Sequence, residues 1–218
     1  MAKINTILFD FDGTVMDTNA VILASWQHFF MALEGKERPP AEIIKTFGEP
    51  LDVTLKKLYP GRDIDELVPI YRNYHLDNYE KMIELFPGIR ELLITLKAKN
   101  YKTGLVTSRL RRSTMIGLDK FGIKDCFDAI ITCEDTDKHK PDPEPVLAAL
   151  AKLGSKPDES LMLGDTEFDI LCAMSAGVKV VLAGWSIAVT GEENKSGAVP
   201  DFVINRAEEL LEILSGEV

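Results

Sequence analysis

At 218 residues, 45% of them hydrophobic and 28% charged, the chain has the balance of an ordinary globular protein, which excludes disordered and fibrous classes. Its 35 acidic and 25 basic residues leave a net charge of −10, which repels a polyphosphate backbone and excludes nucleic acid as a natural partner. A small anionic substrate stays open, provided a metal ion or a lysine reverses the potential locally.

The length suits one good-sized domain or two unequal ones. At the N-terminus, charge comes too early for a signal peptide, and the first apolar run, TILF at 6–9, reads as a buried strand. Residues 18–83 read as four helices: NAVILASWQHFFMALEG, EIIKTFG, LDVTLKKLYPG and DELVPIYRNYHLDNYEKMI. No strand is evident among them, and such a block is too long for a simple strand-to-helix connection. We therefore expect an α/β core over 1–16 and 84–218, and a smaller all-helical domain over 17–83, with linkers near 14–18 and 83–88.

From Phe86-Pro87-Gly88, which opens a helix running to about Asn100, strands and helices alternate. KTGLVT (102–107), AIIT (129–132), LMLGD (161–165), KVVLA (179–183) and DFVI (201–204) are aliphatic runs without clean alternation, as in a parallel sheet covered on both faces. In DPEPVLAALAKLG, Asp142 suits a cap, Pro143 the first helical position and Gly154 the stop; TEFDILCAMSAG reads as a helix ended by Gly177. The fold class is α/β: a doubly wound, Rossmann-like parallel sheet with an inserted helical domain. The late apolar stretch VVLAGWSIAV (180–189) is too short to cross a bilayer. Cys126, Cys133 and Cys172 are odd in number and lack C-x-x-C spacing, as in reduced core cysteines. The expectation is a cytoplasmic protein without a membrane partner, monomeric or weakly homodimeric.

Ligands of open parallel sheets bind beyond the carboxyl ends of the strands, so the residues there carry the chemistry. The first strand ends in Asp10-Phe11-Asp12, the second in Thr107-Ser108; the third leads into a loop with Lys140, and the fourth ends in Asp165 with Asp169 four residues on. Each has an ordinary reading alone, as a turn, a cap, a surface lysine or a charge pair at a helix start. Their order, one at each strand end, points instead to a hard divalent cation held by oxygen. Mg²⁺ suits a site in which Asp10 and Asp165 are ligands and Asp12 offers its backbone oxygen. A carboxylate beside such a cation can attack phosphorus, and a second acid on the same side of an extended segment can serve as acid and base. Thr107 and Ser108 can hold phosphoryl oxygens, and Lys140 offsets charge. His28, His75 and His139 lack ligand spacing to one another.

DFDGT, LVTS, HKPDPEP and LGDTEFD, in that order, resemble the four-part signature of the haloacid dehalogenase superfamily, and the helical block resembles the cap of its phosphoglycolate phosphatase and β-phosphoglucomutase branch. The resemblance implies Asp10 as nucleophile, Asp12 as acid/base, Thr107 as phosphate holder, Lys140 as stabilising lysine and Asp165 as Mg²⁺ ligand, with Asp169 supporting or replacing it. It implies a Mg²⁺-dependent phosphatase that acts through an aspartyl-phosphate on a small phosphorylated substrate. Dehalogenases lack the second acid, which is present here as Asp12. Thr14 and Ile22 depart from the mutase pattern of a valine after the glycine and a histidine at the first cap helix. KPDPEP, the GD-x-x-x-D spacing and AGW (183–185) are similar to pyrophosphatase-like and phosphoglycolate phosphatase-like members, and both remain open. Lys45, Glu49, Arg72 and His75 are cap residues that either meet the leaving group or are solvated helix faces. A phosphoglucomutase-like transferase and a receiver-like phospho-acceptor are the alternative readings.

Overall fold

The computed structural model describes residues 3–188 and 197–216. Six parallel strands form one sheet: β1 (Thr6–Phe9), β4 (Lys102–Val106), β5 (Ala129–Ile131), β6 (Ser160–Gly164), β7 (Lys179–Ala183) and β8 (Phe202–Ile204). They stand in the order β5-β4-β1-β6-β7-β8. The chain builds outward from β1 through β4 to β5, then crosses back to place β6 on the other side of β1. That reversal opens a crevice at the carboxyl end of the central strands. Why the strands lack polar alternation is plain in the packing. Ile7 and Phe9 enter one apolar cluster while Leu8 enters another; Leu161 and Leu163 join the first and Met162 the second. Successive side chains point to opposite faces, and both faces are covered.

The first face is covered by α5 (Ile89–Ala98), α6 (Arg111–Lys120) and α9 (Glu209–Ser215), through residues such as Leu92, Leu93, Leu96, Leu118 and Leu210. The second is covered by α7 (Glu144–Leu153) and α8 (Glu167–Ser175), through Val146, Ala149, Leu150, Ile170 and Ala173. Each fully buried leucine of this kind contributes about 1.5–3 kcal/mol over its exposed state. Helix α7 starts one residue later than the sequence suggests. Pro143 occupies the cap position, and Asp142 Oδ1 accepts the Glu144 N–H at 3.0 Å. Residue 189 of the 180–189 run lies outside the described residues; among those described, no helix is long and apolar enough to cross a membrane.

Between β1 and α5 the chain makes a helical insert: α1 (Asn19–Glu34), α2 (Pro40–Ile44), α3 (Leu51–Leu58) and α4 (Ile64–Met82). It has its own apolar cluster of Trp26, Phe29, Phe30, Ile43, Leu55, Leu67 and Tyr71. The two stems were expected to be linkers. They pair as a two-stranded antiparallel ribbon, β2 (Met16–Asp17) with β3 (Glu84–Leu85), Met16 facing Leu85 and Asp17 facing Glu84. Each strand is two residues long, too short to give a periodic signal.

Candidate active site

Three neighbouring strand ends and one loop supply the polar centre. Asp10 prolongs β1, its N–H bonded to the Leu163 carbonyl at 2.9 Å, and Asp165 follows directly on β6. The turn after β1 passes so close to β6 that only glycine fits. Gly13 has φ +77°, and a Cβ there would lie 2.0 Å from Asp165 Oδ2. Asp169 sits in the first turn of α8, where its Oδ2 accepts from the Thr166 N–H at 3.1 Å and the Thr166 hydroxyl at 2.7 Å. Its other oxygen faces Lys140. The Lys140 ammonium donates to Asp10 Oδ1 at 2.5 Å and to Asp169 Oδ1 at 2.6 Å, with all three side chains buried. Asp165 is held by the Ser186 hydroxyl at 2.6 Å and the Thr14 hydroxyl at 3.4 Å.

Electrostatics follow from this crowding. Burial pushes the Asp10 carboxyl up to about 7, with Lys140 opposing and Asp169 and Asp12 adding to the rise. Burial, Asp10 and Asp169 push Asp165 well above the usual carboxylate range. For Lys140, burial works against the charge, but Asp10 and Asp169 outweigh it and its pKa is raised. Carboxylate oxygens of Asp10, Asp165 and Asp169 lie within 4.8 Å of one another. Such a donor set, oxygen only and buried, fits a hard divalent cation. The count of charges agrees. Among the described residues, Asp10, Asp12, Asp165 and Asp169 are ion-paired with two cations, Lys140 and Arg109, which leaves the charge a divalent ion would cancel.

Asp12 belongs to a different network. Arg109, two residues past Thr107, grips it through Nε at 2.9 and 3.1 Å and through one terminal nitrogen at 2.7 Å. The Thr18 hydroxyl adds a bond of 2.6 Å. Burial works to raise the Asp12 carboxyl, but the Arg109 guanidinium outweighs it and holds the group below its ordinary value. The network continues into the helical insert. The other terminal nitrogen of Arg109 lies 3.0 Å from His75 Nε2, and His75 Nδ1 lies 3.1 Å from the Ser25 hydroxyl. Ser25 donates its proton to the Val21 carbonyl at 2.5 Å, so it accepts from His75. His75 Nδ1 therefore carries the hydrogen, and Nε2 accepts from Arg109. Burial, and then the arginine charge, lowers the His75 pKa to about 3, so the ring is neutral at physiological pH. The Arg109 guanidinium also lies over the Tyr79 ring, 4.6 Å from its centre.

A cavity of about 370 Å³ adjoins these groups. Asp10, Asp12, Ser108, Arg109, Lys140, Asp165 and Asp169 line its inner wall, and Ile22, Trp26, Glu49, Arg72, His75 and Leu76 of the insert line its outer wall. Of the site residues expected on the α/β core, Thr107 alone is not on the wall: it is buried at the end of β4, and its hydroxyl accepts the Arg109 N–H at 3.1 Å. Glu49, Arg72 and His75 reach the cavity, and Lys45 does not. Sequence reasoning missed Arg109, Thr18 and Ser186, and took His75 as one of four cap residues that either meet the leaving group or are solvated helix faces. The signal for Arg109 was its place in the loop after a strand-end Thr-Ser, masked by Arg111 and Arg112 close behind.

A doubly wound sheet with acids at the ends of its central strands, a lysine between them and an adjoining pocket has the layout of an enzyme site of the α/β class. Residues 7–183 match the haloacid dehalogenase-like hydrolase family, and the chain belongs to it. Among curated relatives, the pyrophosphatase PpaX of Halalkalibacterium halodurans is 36% identical over 97% of this chain and 97% of its own. That of Bacillus pumilus is 35% identical over 99% of both. A crystal structure from Lactobacillus plantarum, provisionally named a phosphoglycolate phosphatase, superposes with a TM-score of 0.85 at 27% identity, covering 97% of this chain and 99% of that one. The protein is a phosphohydrolase, which sets aside the receiver reading.

Proposed function

We propose that the protein is a Mg²⁺-dependent phosphatase that hydrolyses pyrophosphate or a small phosphoglycolate-type monoester through an aspartyl-phosphate on Asp10. The observation that carries this is the buried cluster of Asp10, Asp165 and Asp169 around Lys140, with Asp12 two residues from the nucleophile. Asp10 and Asp165, with the backbone oxygen of Asp12 and support from Asp169, would hold the ion, which when bound neutralises charge on the phosphoryl oxygens. Asp10 attacks phosphorus as the bond to the leaving oxygen breaks. Asp12 protonates that oxygen, then takes a proton from the water that attacks phosphorus and frees Asp10. The grip of Arg109 favours ionised Asp12, the form needed in the second step. Ser108 on the cavity wall steadies the phosphoryl group, Thr107 behind it fixes the loop through the Arg109 N–H, and Lys140 keeps Asp10 oriented. Residues 17–83 act as a cap domain on the core of 1–16 and 84–218, closing the cavity from above and excluding water.

Pyrophosphate is favoured by the names of the curated relatives. The test is phosphate release from pyrophosphate, phosphoglycolate and sugar phosphates, with Mg²⁺ and with excess chelator, for wild type and Asp10→Asn. We expect metal-dependent release that Asp10→Asn abolishes. Full activity in that variant would sink the aspartyl-phosphate mechanism, and turnover confined to interconversion of sugar phosphates would favour the mutase.

A further inference from the structure

We propose that Arg109, with Arg72, reads the leaving group, and that the site is built for phosphoesters and phosphoanhydrides whose leaving group carries its own negative charge, such as inorganic phosphate or a carboxylate. The inference rests on the phosphohydrolase reading above and adds to it a class of substrate and the residues that select it. Its starting point is location. A side chain that serves the leaving oxygen must border the leaving group, and a guanidinium that is bonded to it and also lines the cavity is placed to meet that group. Arg109 is bonded to Asp12 and lines the same cavity.

Lys140 cannot take this role, because its charge is committed to Asp10 and Asp169. Arg109 has capacity to spare. Of the five N–H bonds of a guanidinium, the two directed at Asp12 and the one at His75 are engaged, which leaves two. The group is also rigid, set over Tyr79 and backed by a neutral His75 that accepts a bond without adding charge. Arg72 lies one turn before His75 on α4, reaches the cavity, and has no carboxylate partner among the described residues. The acids of the outer wall are already balanced: Glu49 pairs with Lys57, and Asp52 with Lys56 at 3.7 Å. Besides the two arginines, the cavity is lined by the apolar side chains of Ile22, Trp26 and Leu76. A neutral leaving group would leave these donors without an acceptor.

The experiment compares kcat/KM, in Mg²⁺, for phosphoglycolate and for its neutral counterpart, in which the carboxylate is replaced by a hydroxymethyl group. Wild type should prefer the anionic compound, and Arg109→Met should cut that preference about 30-fold or more, the loss usual for one partner of a buried charge pair. Arg72→Met should reduce it severalfold, mainly through KM, and Arg109→Lys should restore part of what Met loses. Equal kcat/KM for the two compounds in wild type would overturn the proposal. So would equal losses on both in Arg109→Met, which would make Arg109 a support for Asp12 and nothing more. Should Arg109→Met fail to fold, Arg72→Met on the exposed side of α4 decides: an unchanged preference overturns the inference. Absence of release from any compound by wild type would instead remove the phosphohydrolase reading beneath it.

Discussion

Lys140 holds two buried carboxylates at once, and that double bond sets what its loss would do. Lys140→Met would leave buried Asp10 and Asp169 without this cation, at a cost of about 3–5 kcal/mol in metal-free protein. Urea unfolding with and without Mg²⁺ checks this: the deficit should shrink when the ion is present, and a variant as stable as wild type without metal would refute it. His75 makes a second prediction. Its folded pKa of about 3 lies below the unfolded value, so the unfolded chain binds a proton the folded one refuses. The stability His75 confers is present above its ordinary pKa and is lost as pH falls. At pH 5 the difference is about 2 kcal/mol. His75→Gln should therefore gain on wild type by about that amount between pH 7.5 and pH 5, read from unfolding midpoints, and a constant gap would show that His75 titrates normally.

The candidate site was legible to the extent that strand ends announce themselves. Asp10, Asp12, Asp165 and Asp169 follow apolar runs, and Lys140 stands in a loop between a strand and a capped helix. What joins Asp12 to the insert was not legible, because Arg109 meets His75 from a segment 34 positions away in the chain. A histidine on an amphipathic helix reads as a surface residue until its helix is docked, and here it is buried.

At the scale of elements, the loop between α2 and α3 presses its backbone against the turn that follows β6. Gly48 has φ +80°, and a Cβ there would stand 2.9 Å from Thr166 Cγ2 and 3.0 Å from the Phe168 ring. Gly48→Ala faces both the left-handed backbone, worth about 1 kcal/mol, and a contact that must widen. The insert would be held off the core at the cavity mouth, so KM should rise severalfold and the unfolding midpoint should fall by about 2–4 °C. Unchanged KM would mean that this contact does not shape the cavity. The elements themselves were largely readable. Aliphatic runs marked the six strands of the sheet, and the helical reading marked all four helices of the insert, although the second, expected over EIIKTFG, spans Pro40–Ile44 and gives way to turns from Lys45. The β2–β3 ribbon escaped because pairing of Met16 with Leu85 is a tertiary fact, set by where the insert leaves and rejoins the sheet.

For the whole molecule, the cluster at the strand ends trades stability for cation binding. Asp10 keeps its proton up to about pH 7 in the folded, metal-free protein, whereas the unfolded chain has released it by about pH 4. A folded state that binds more protons than the unfolded one loses stability as pH rises, here between about pH 4 and 7. Asp165, also raised, acts in the same direction. A divalent cation takes the place of those protons, so its stabilising effect must grow across that window. At a hundred times its dissociation constant the ion adds about 2.7 kcal/mol, or about 5–10 °C for a chain of this size. We expect the rise in Tm on adding Mg²⁺ to be near zero at pH 5 and to approach that range at pH 8. Asp165→Asn removes one of the crowded charges. It should raise metal-free stability at pH 8 by about 1–3 kcal/mol while erasing the Mg²⁺ increment and the activity together. A Mg²⁺ increment that ignores pH, or that survives in Asp165→Asn, would mean the ion binds elsewhere and that the buried acids are balanced by protons alone.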